Sequence, residues 1–325
     1  MNFKKKLLII LLLIIYLIPI NIYAYSDKVI LGGDNIGISV NTKEVLVVGF
    51  YKVNDKYIAK DAGFAIGDKI LKVNNNDISN IDDLIKEINK SEDNNITIKI
   101  KRNNEEKNLK LKLIKENGIY KTGLYIKDQI TGVGTLTYID PETNIFASLG
   151  HEISDNKTGK LIDISDGNIF ESKVTGVIKT TDTKTGEKKA KFIRENIEGI
   201  INKNTTKGIY GIYTKENNNI LIEVGNENEI VLGPAKIYTS LNDNQIEAYD
   251  INIIKINKNS DTKNILFEIT DKELLNKTGG IIKGMSGSPI VQNNKIVGAV
   301  THAILSENTK GYGIFITTML EEGEK

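Results

Sequence analysis

The 325-residue sequence contains no cysteine, no tryptophan and only two histidines. Without cysteine, the chain has no thiol nucleophile, no disulfide bond, no iron–sulfur cluster and no zinc site with cysteine ligands. Any mechanism that needs an imidazole must use His151 or His302. Net charge is also nearly absent, because 43 Lys and Arg residues stand against 42 Asp and Glu residues. Since phosphate binding draws on clustered positive charge, nucleic acid is not expected as a partner.

Long apolar runs are scarce as well, and the most pronounced one lies at the N-terminus. Three lysines at positions 4–6 precede a predominantly apolar run over residues 7–20. This run is shorter than the roughly 18–20 apolar residues that span a bilayer comfortably. Ala24 suits a cleavage point but Ile22 does not, so cleavage and retention both stay open. We interpret residues 1–25 as a signal peptide or membrane anchor that places the remainder outside the cytoplasm.

Residues 28–115 predict a small α+β module. Its short β-rich segments are separated by glycine and Asx turns, and residues 96–100 and 109–113 alternate as in a closing hairpin. Ahead of the hairpin, isoleucine and leucine recur at positions 81, 84, 85 and 88, which predicts one amphipathic helix. Ser79 or Asn80 is its expected N-cap.

The sequence AGFAIGDKILKVN at residues 62–74 resembles the matching run of PDZ domains. The resemblance implies a groove in which a peptide adds as a strand to a sheet edge. By this resemblance, the loop that receives the C-terminal carboxylate of the peptide would consist of Ile36, Gly37, Ile38 and Ser39. A purely scaffolding or regulatory role for the module is the alternative.

Residues 120–325 predict a second, β-rich unit. Many short strands separated by turn residues favour an all-β sandwich or barrel. Only residues 191–203 have a weakly helical pattern.

The run Gly284-Met285-Ser286-Gly287-Ser288-Pro289 is the strongest chemical signal in this unit. A nucleophilic hydroxyl needs a constrained, exposed turn with free backbone N–H groups nearby. The two glycines permit such a turn, so Ser286 is the candidate nucleophile and the N–H groups of Gly284 and Ser286 the candidate oxyanion hole. Ser288 is the rival nucleophile, and a glycine-rich turn without chemistry is the alternative.

The base is expected to be one of the two histidines or a lysine. His151 follows an apolar strand that ends at Gly150 and enters a polar turn, which suits a base at the rim of a cleft. His302 is interpreted instead as a half-buried residue on a core strand. The order of histidine before serine is that of chymotrypsin-like double-barrel peptidases.

Three runs in the second unit are similar to the stage IV sporulation protein B family of signalling serine peptidases: residues 132–135, 149–155 and 278–290. The resemblance implies a mainly β protein, with the PDZ-like domain at 28–115 and a chymotrypsin-like double β-barrel peptidase domain at 120–325. It also implies Ser286 as nucleophile, His151 as base and Asp271 as the acid of a triad. No cofactor or metal is implied.

The same resemblance implies where the protein acts and on what. It would be exported or membrane-tethered, in the space between mother-cell and forespore membranes. Its substrate would be a membrane-anchored regulatory protein and also another copy of itself, with self-association through the PDZ domain. A catalytically inactive, secreted PDZ-containing peptide-binding protein remains the alternative function.

From the residues alone, the acid stays open. Asp155, Asp163 and Asp166 also follow His151 closely in sequence. Asp271 would serve equally well as a helix cap before Lys272.

Overall fold

The computed structural model describes residues 25–91, 94–154, 159–181, 183–216, 220–243 and 245–325. Within these ranges most of the ordered backbone is β-strand, as the sequence predicts. Except for Tyr25, the predicted signal peptide or anchor at residues 1–25 lies outside the described residues. None of the helices in these ranges is long and apolar enough to cross a lipid bilayer.

A closed antiparallel barrel forms the first half of the peptidase unit. Each of its six strands pairs with two others, in the cyclic order β2, β9, β10, β13, β12, β11 and back to β2. The strands are β2 (Asn35–Phe50), β9 (Leu124–Ile139), β10 (Ile145–Ser148), β11 (Ile164–Ile178), β12 (Glu187–Thr205) and β13 (Gly208–Tyr213). Apolar side chains that alternate with polar ones fill its interior, among them Ile36, Phe146 and Ile209.

A second closed antiparallel barrel follows in the chain. Its strands pair in the cyclic order β15, β16, β17, β20, β19, β18 and back to β15. They are β15 (Gly233–Ser240), β16 (Ile246–Ile256), β17 (Ile265–Ile269), β18 (Pro289–Gln292), β19 (Lys295–Ala303) and β20 (Lys310–Phe315). Two six-stranded barrels in series confirm the predicted chymotrypsin-like architecture, and closure leaves neither barrel with an open edge.

Elements between the barrels join them into one body. Strand β1 (Lys28–Leu31) pairs with β9 of the first barrel and with β14 (Leu221–Val224), which in turn pairs with β19 of the second. Helix α3 (Lys272–Thr278) leads from β17 towards β18. The C-terminal helix α4 (Ile316–Glu324) buries Met319 and Leu320 in an apolar cluster with residues of both barrels.

The PDZ-like unit is inserted between β2 and β9. It contains α1 (Ile58–Asp61), β3 (Lys69–Val73), β4 (Asn76–Asp77), α2 (Ile81–Asn89), β5 (Asn95–Arg102), β6 (Glu105–Lys112), β7 (Ile114–Glu116) and β8 (Ile119–Lys121). Helix α2 confirms the predicted amphipathic helix, with Leu84 and Ile88 buried and the Asn80 side chain capping the N–H of Asp83. The unit has its own apolar core, which extends from Val45 to Leu124.

This core shows that the PDZ-like unit starts later than residue 28. The first half of β2, residues 35–42, pairs on one side with β9 and on the other with β11. Its apolar side chains, including Ile36 and Val40, lie in the core of the first barrel. Strand β1 also belongs to the peptidase unit, because it pairs with β9 and β14. Only from about Val45 onward do the side chains join the PDZ-like core.

The predicted carboxylate-binding loop is therefore wrong. Ile36, Gly37, Ile38 and Ser39 form the middle of a strand whose neighbours on both sides are β9 and β11. Ladder pairing on both sides occupies the backbone groups that a bound carboxylate would need. A peptide therefore has no free edge to join at these four residues.

The weakly helical pattern at residues 191–203 does not correspond to a helix in the structure. These residues lie within β12, which pairs with β11 and β13. Closure of the barrel thus decides the conformation of a segment whose local pattern is weak.

Candidate active site

The serine-containing loop, residues 279–288, lies between α3 and β18 and is fixed to the first barrel. Its glycines 284 and 287 have φ angles of +94° and +92°, a conformation that favours glycine. At Gly287, a Cβ atom would lie 2.1 Å from the carbonyl oxygen of Thr135. The carbonyl of Gly287 accepts a hydrogen bond from the Thr137 hydroxyl at 2.8 Å, and its N–H donates to Val300 at 2.8 Å. Both glycines are therefore favoured by backbone conformation, and Gly287 is also required by close packing.

The two serines of this loop differ sharply in exposure. Ser286 is half-buried and lines a cavity, where its hydroxyl donates to the carbonyl of Thr301 at 3.0 Å. Ser288 is fully buried, and its hydroxyl has no hydrogen-bond partner among the described residues. Of these two serines, only Ser286 is open to a substrate.

His151 enters the same cavity at the end of β10. Leu149 and Gly150 both have positive φ angles, so the chain turns sharply before the imidazole. The Nδ1 atom lies 2.8 Å from the carbonyl oxygen of Glu152. A carbonyl only accepts hydrogen bonds, so this contact requires the proton on Nδ1 and leaves the lone pair on Nε2. Burial lowers the pKa of His151 below its ordinary value, which favours the neutral ring that a general base needs.

The cavity brings the two predicted catalytic side chains together. Its volume is about 610 Å³, and His151, Gly284 and Ser286 all line it. The PDZ-like unit supplies another part of the wall, including Val48 and Ile66. Their exposed fractions of 40% and 50% leave apolar surface open to a bound molecule. The cavity is therefore lined by residues of both units.

The backbone N–H groups of Gly284 and Ser286 have no acceptor among the described residues. Other N–H groups of the loop are paired, such as that of Met285 with Ile282 and that of Ser288 with Met285. Two free donors beside a serine have the composition of an oxyanion hole. They are the two that the sequence predicts for this role.

His302 lies next to His151, which the sequence did not indicate. The centroids of the two rings are 5.0 Å apart. His302 is on β19 as expected, but it is exposed rather than half-buried. Partial loss of hydration and the nearby His151 and Lys263 lower its pKa below the ordinary value. A second imidazole with a lowered pKa therefore lies against His151, although it does not line the cavity.

Comparison with known proteins identifies the peptidase unit. The profile of the SpoIVB peptidase S55 family matches residues 118–320, more than half of the chain. The chain belongs to the SpoIVB peptidase S55 family. A PDZ domain profile matches residues 35–113 of this S55 peptidase, a range that includes the barrel residues 35–42. No curated protein matches the sequence.

Three solved structures are distantly similar to this S55 peptidase. The Rv3671c protease in an inactive form is 11% identical, with a TM-score of 0.31, and the match covers 57% of this chain and 80% of that one. An inactive-form mutant of Rv3671c from M. tuberculosis H37Rv is 12% identical, with a TM-score of 0.30 and coverage of 58% and 78%. Human heparin binding protein is 8% identical, with a TM-score of 0.29 and coverage of 55% and 72%.

The three described carboxylates considered for the triad, Asp163, Asp166 and Asp271, form no hydrogen bond with His151 of the S55 peptidase. Asp271 is the N-cap of α3, where its carboxylate accepts the N–H of Leu274 at 2.9 Å and that of Asp250 at 3.4 Å. Asp163 and Asp166 are exposed, and Asp166 accepts a hydrogen bond from Asn41. Asp155 lies outside the described residues. In this structure the Glu152 carbonyl, not a carboxylate, holds Nδ1.

No metal site accompanies these groups in the described ranges, where His, Asp and Glu side chains form no cluster of three or more that could hold an ion.

We expect Asp271→Ala to lower the free energy of unfolding of the S55 peptidase by about 1 kcal/mol, because it removes the cap of α3. Asp271→Asn should keep that stability, since asparagine is an equally good N-cap. Urea unfolding of both variants beside the wild type measures the difference.

The same pair of variants tests the triad role of Asp271. Asparagine retains the cap but not the charge, so the position of Asp271 predicts that Asp271→Asn reacts with a serine-directed probe at the wild-type rate. A loss of about 10⁴-fold in this folded variant would instead support the acid role implied by the family resemblance.

Proposed function

We propose that this S55 peptidase cleaves peptide bonds through an acyl-enzyme on Ser286, with His151 as general base. The observation that carries the proposal is that both side chains line one cavity together with the unpaired N–H groups of Gly284 and Ser286. The Ser286 hydroxyl, which donates to Thr301 in the resting structure, must turn towards Nε2 of His151.

In the proposed reaction, Oγ of Ser286 bonds to the carbonyl carbon of the substrate and its proton passes to Nε2. The carbonyl oxygen becomes negative and accepts hydrogen bonds from the N–H groups of Gly284 and Ser286. Collapse of this intermediate breaks the C–N bond, and the leaving amine takes the proton from Nε2. Water then attacks the acyl-enzyme by the same route in reverse. The Nδ1–H bond to Glu152 would hold the ring in the required tautomer throughout.

The substrate is proposed to be a polypeptide that touches both units of the protein. Val48 and Ile66 offer apolar surface in the wall of the same cavity as Ser286. The PDZ-like unit would thus act in substrate selection from within the catalytic cavity, rather than through a groove at residues 36–39.

The cellular role is proposed from the family. A SpoIVB peptidase is expected to act in sporulation, and an N-terminal segment with the charge pattern of residues 1–25 would deliver it outside the cytoplasm. We propose a membrane-anchored regulatory protein as its substrate in the space between mother-cell and forespore membranes, and a second copy of the chain as another substrate. Addition of purified Ser286→Ala protein to wild-type protein would reveal the second activity as fragments of the inactive copy.

Labelling with a fluorophosphonate probe tests the catalytic proposal. The probe phosphonylates an activated serine, with loss of fluoride, whereas an ordinary surface serine does not react. We expect the wild-type protein to be labelled and Ser286→Ala to remain unlabelled, as measured by in-gel fluorescence. Equal labelling of both proteins would refute the nucleophile, and absence of label from both would favour a peptide-binding protein without catalysis.

A further inference from the structure

Lys188 is a fully buried lysine directly beneath the serine loop. It lies on β12 with only 4% of its surface exposed. Among the described residues, no carboxylate pairs with its ammonium group. Its Nζ atom donates instead to the hydroxyls of Thr239, at 2.9 Å, and Thr135, at 3.3 Å. A lysine buried without a counter-charge is costly to the fold, so the position of Lys188 calls for a physical explanation.

The lysine side chain is linked to the serine loop through one hydroxyl. The Thr135 hydroxyl donates its only hydrogen to the carbonyl of Gly284 at 2.7 Å, so it must act as the acceptor towards Lys188. Two hydrogen bonds therefore run in series from Nζ through Thr135 to Gly284. The aliphatic stem of Lys188 also packs on Gly284, where a Cβ atom would lie 3.1 Å from its Cγ and Cδ.

The backbone of Lys188 fixes the neighbouring peptide unit. Its N–H donates to the carbonyl of Lys283 at 2.9 Å. In a trans peptide the carbonyl and the following N–H point in opposite directions. With the Lys283 carbonyl held by Lys188, the N–H of Gly284 must point away from Lys188. Lys188 thus acts on both peptide units that flank Gly284, directly on the first and through Thr135 on the second, at a glycine with a φ of +94°.

We propose that Lys188 is a positioning residue that orients the Gly284 N–H group as an oxyanion donor, its backbone holding the Lys283 carbonyl and its side chain, through Thr135, the Gly284 carbonyl. This inference rests on the proposed function, because an oxyanion donor matters only if Ser286 is acylated. Lys188 does not touch the substrate. Its effect is exerted through the loop.

The test measures the second-order rate constant for fluorophosphonate acylation, since the phosphonyl oxygen occupies the oxyanion position. Lys188→Met keeps the stem and the backbone N–H but removes the ammonium group. We expect the rate constant to fall about 10- to 100-fold, less than the loss of a whole donor. The matched control is Lys189→Met, the same change at the next residue on the exposed face of β12, which should react like the wild type.

A double-mutant cycle separates positioning from a general structural role. Thr135→Val breaks the same series of hydrogen bonds at its middle, so Lys188→Met should add little further loss to Thr135→Val. Thr135→Ser, which keeps the hydroxyl, should restore most of the rate. If Lys188→Met does not yield folded protein, as judged by thermal unfolding, the pair Thr135→Val and Thr135→Ser decides the matter alone.

Each outcome bears on a different claim. A wild-type protein that does not react with the probe overturns the proposed function itself. A reactive wild type with an equally reactive, folded Lys188→Met overturns the positioning role of Lys188. Fully additive losses in the double mutant, or no difference between Thr135→Val and Thr135→Ser, also overturn it.

Discussion

His151→Ala is expected to lower the rate of fluorophosphonate acylation by at least about 10⁴-fold while the protein stays folded. The reason is that His151 is the only imidazole among the described residues that line the cavity of Ser286, and its contact with Glu152 leaves Nε2 free to accept a proton. Labelling that is quenched at successive times, over a range of probe concentrations, gives the acylation rate constants. Circular dichroism checks that the variant is folded.

The matched control for this result is His302→Ala. The two rings are 5.0 Å apart, so either could be imagined as the base. His302 does not line the cavity that holds Ser286, and we expect its removal to cost less than about tenfold. If the acylation rate fell more in His302→Ala than in His151→Ala, His302 rather than His151 would be the general base.

The pH dependence of the wild type should follow from the same residue. Burial lowers the folded-state pKa of His151, so the neutral base persists as the pH falls. The acid limb of the acylation rate should accordingly have its midpoint below pH 6.5 and be absent in His151→Ala.

The stability of the protein is expected to rise between pH 7 and pH 9 because of Lys188. Burial lowers the pKa of this lysine from an ordinary 10.5 to about 7. Between these two values the unfolded chain binds the proton and the folded chain does not, so the free energy of unfolding increases with pH. The contribution of Lys188 from pH 7 to pH 9 should be about 2 kcal/mol, and below about pH 6 it should be constant.

Urea unfolding at several pH values measures this contribution as the difference between wild type and Lys188→Met. The variant should be more stable than the wild type at pH 7 and should lack the slope above it. Lys189→Met, at an exposed position, should keep the wild-type slope. Parallel stability curves for wild type and Lys188→Met would show that the buried amine does not titrate in this range.

Much of the fold was predictable because its signals are local. Apolar residues at helical spacing and a capping asparagine predict helix α2, and the structure has both. The barrel strands were predicted only as a class, since their order depends on pairings between residues far apart in sequence. Strand β12 shows the limit, because residues 191–203 become a strand through partners on both sides.

The predicted carboxylate loop failed for a related reason. Residues 36–39 match a PDZ pattern, but the same residues fit equally well as a strand with a buried apolar face. Whether they form a loop or a strand depends on β9 and β11, which come from the peptidase unit. Because the PDZ-like unit is inserted between two strands of the peptidase unit, the sequence alone does not show where one unit ends and the other begins.

At the site, the sequence indicated Ser286 and His151 because glycines and a polar turn surround them. Nothing local distinguishes Lys188 from Lys189 or Lys191, which follow it in a run typical of a solvated strand face. Nor does the sequence show that His302 meets His151, as these residues are joined only by the packing of the two barrels.

The central claim is that Ser286 is the nucleophile, and the position of the fluorophosphonate adduct tests it most directly. Wild-type protein is labelled, digested and analysed by tandem mass spectrometry, with Ser288→Ala treated in parallel. We predict one adduct, on Ser286, in both proteins, because the Ser288 hydroxyl is fully buried. An adduct on Ser288, or on a serine outside the loop, would contradict the account.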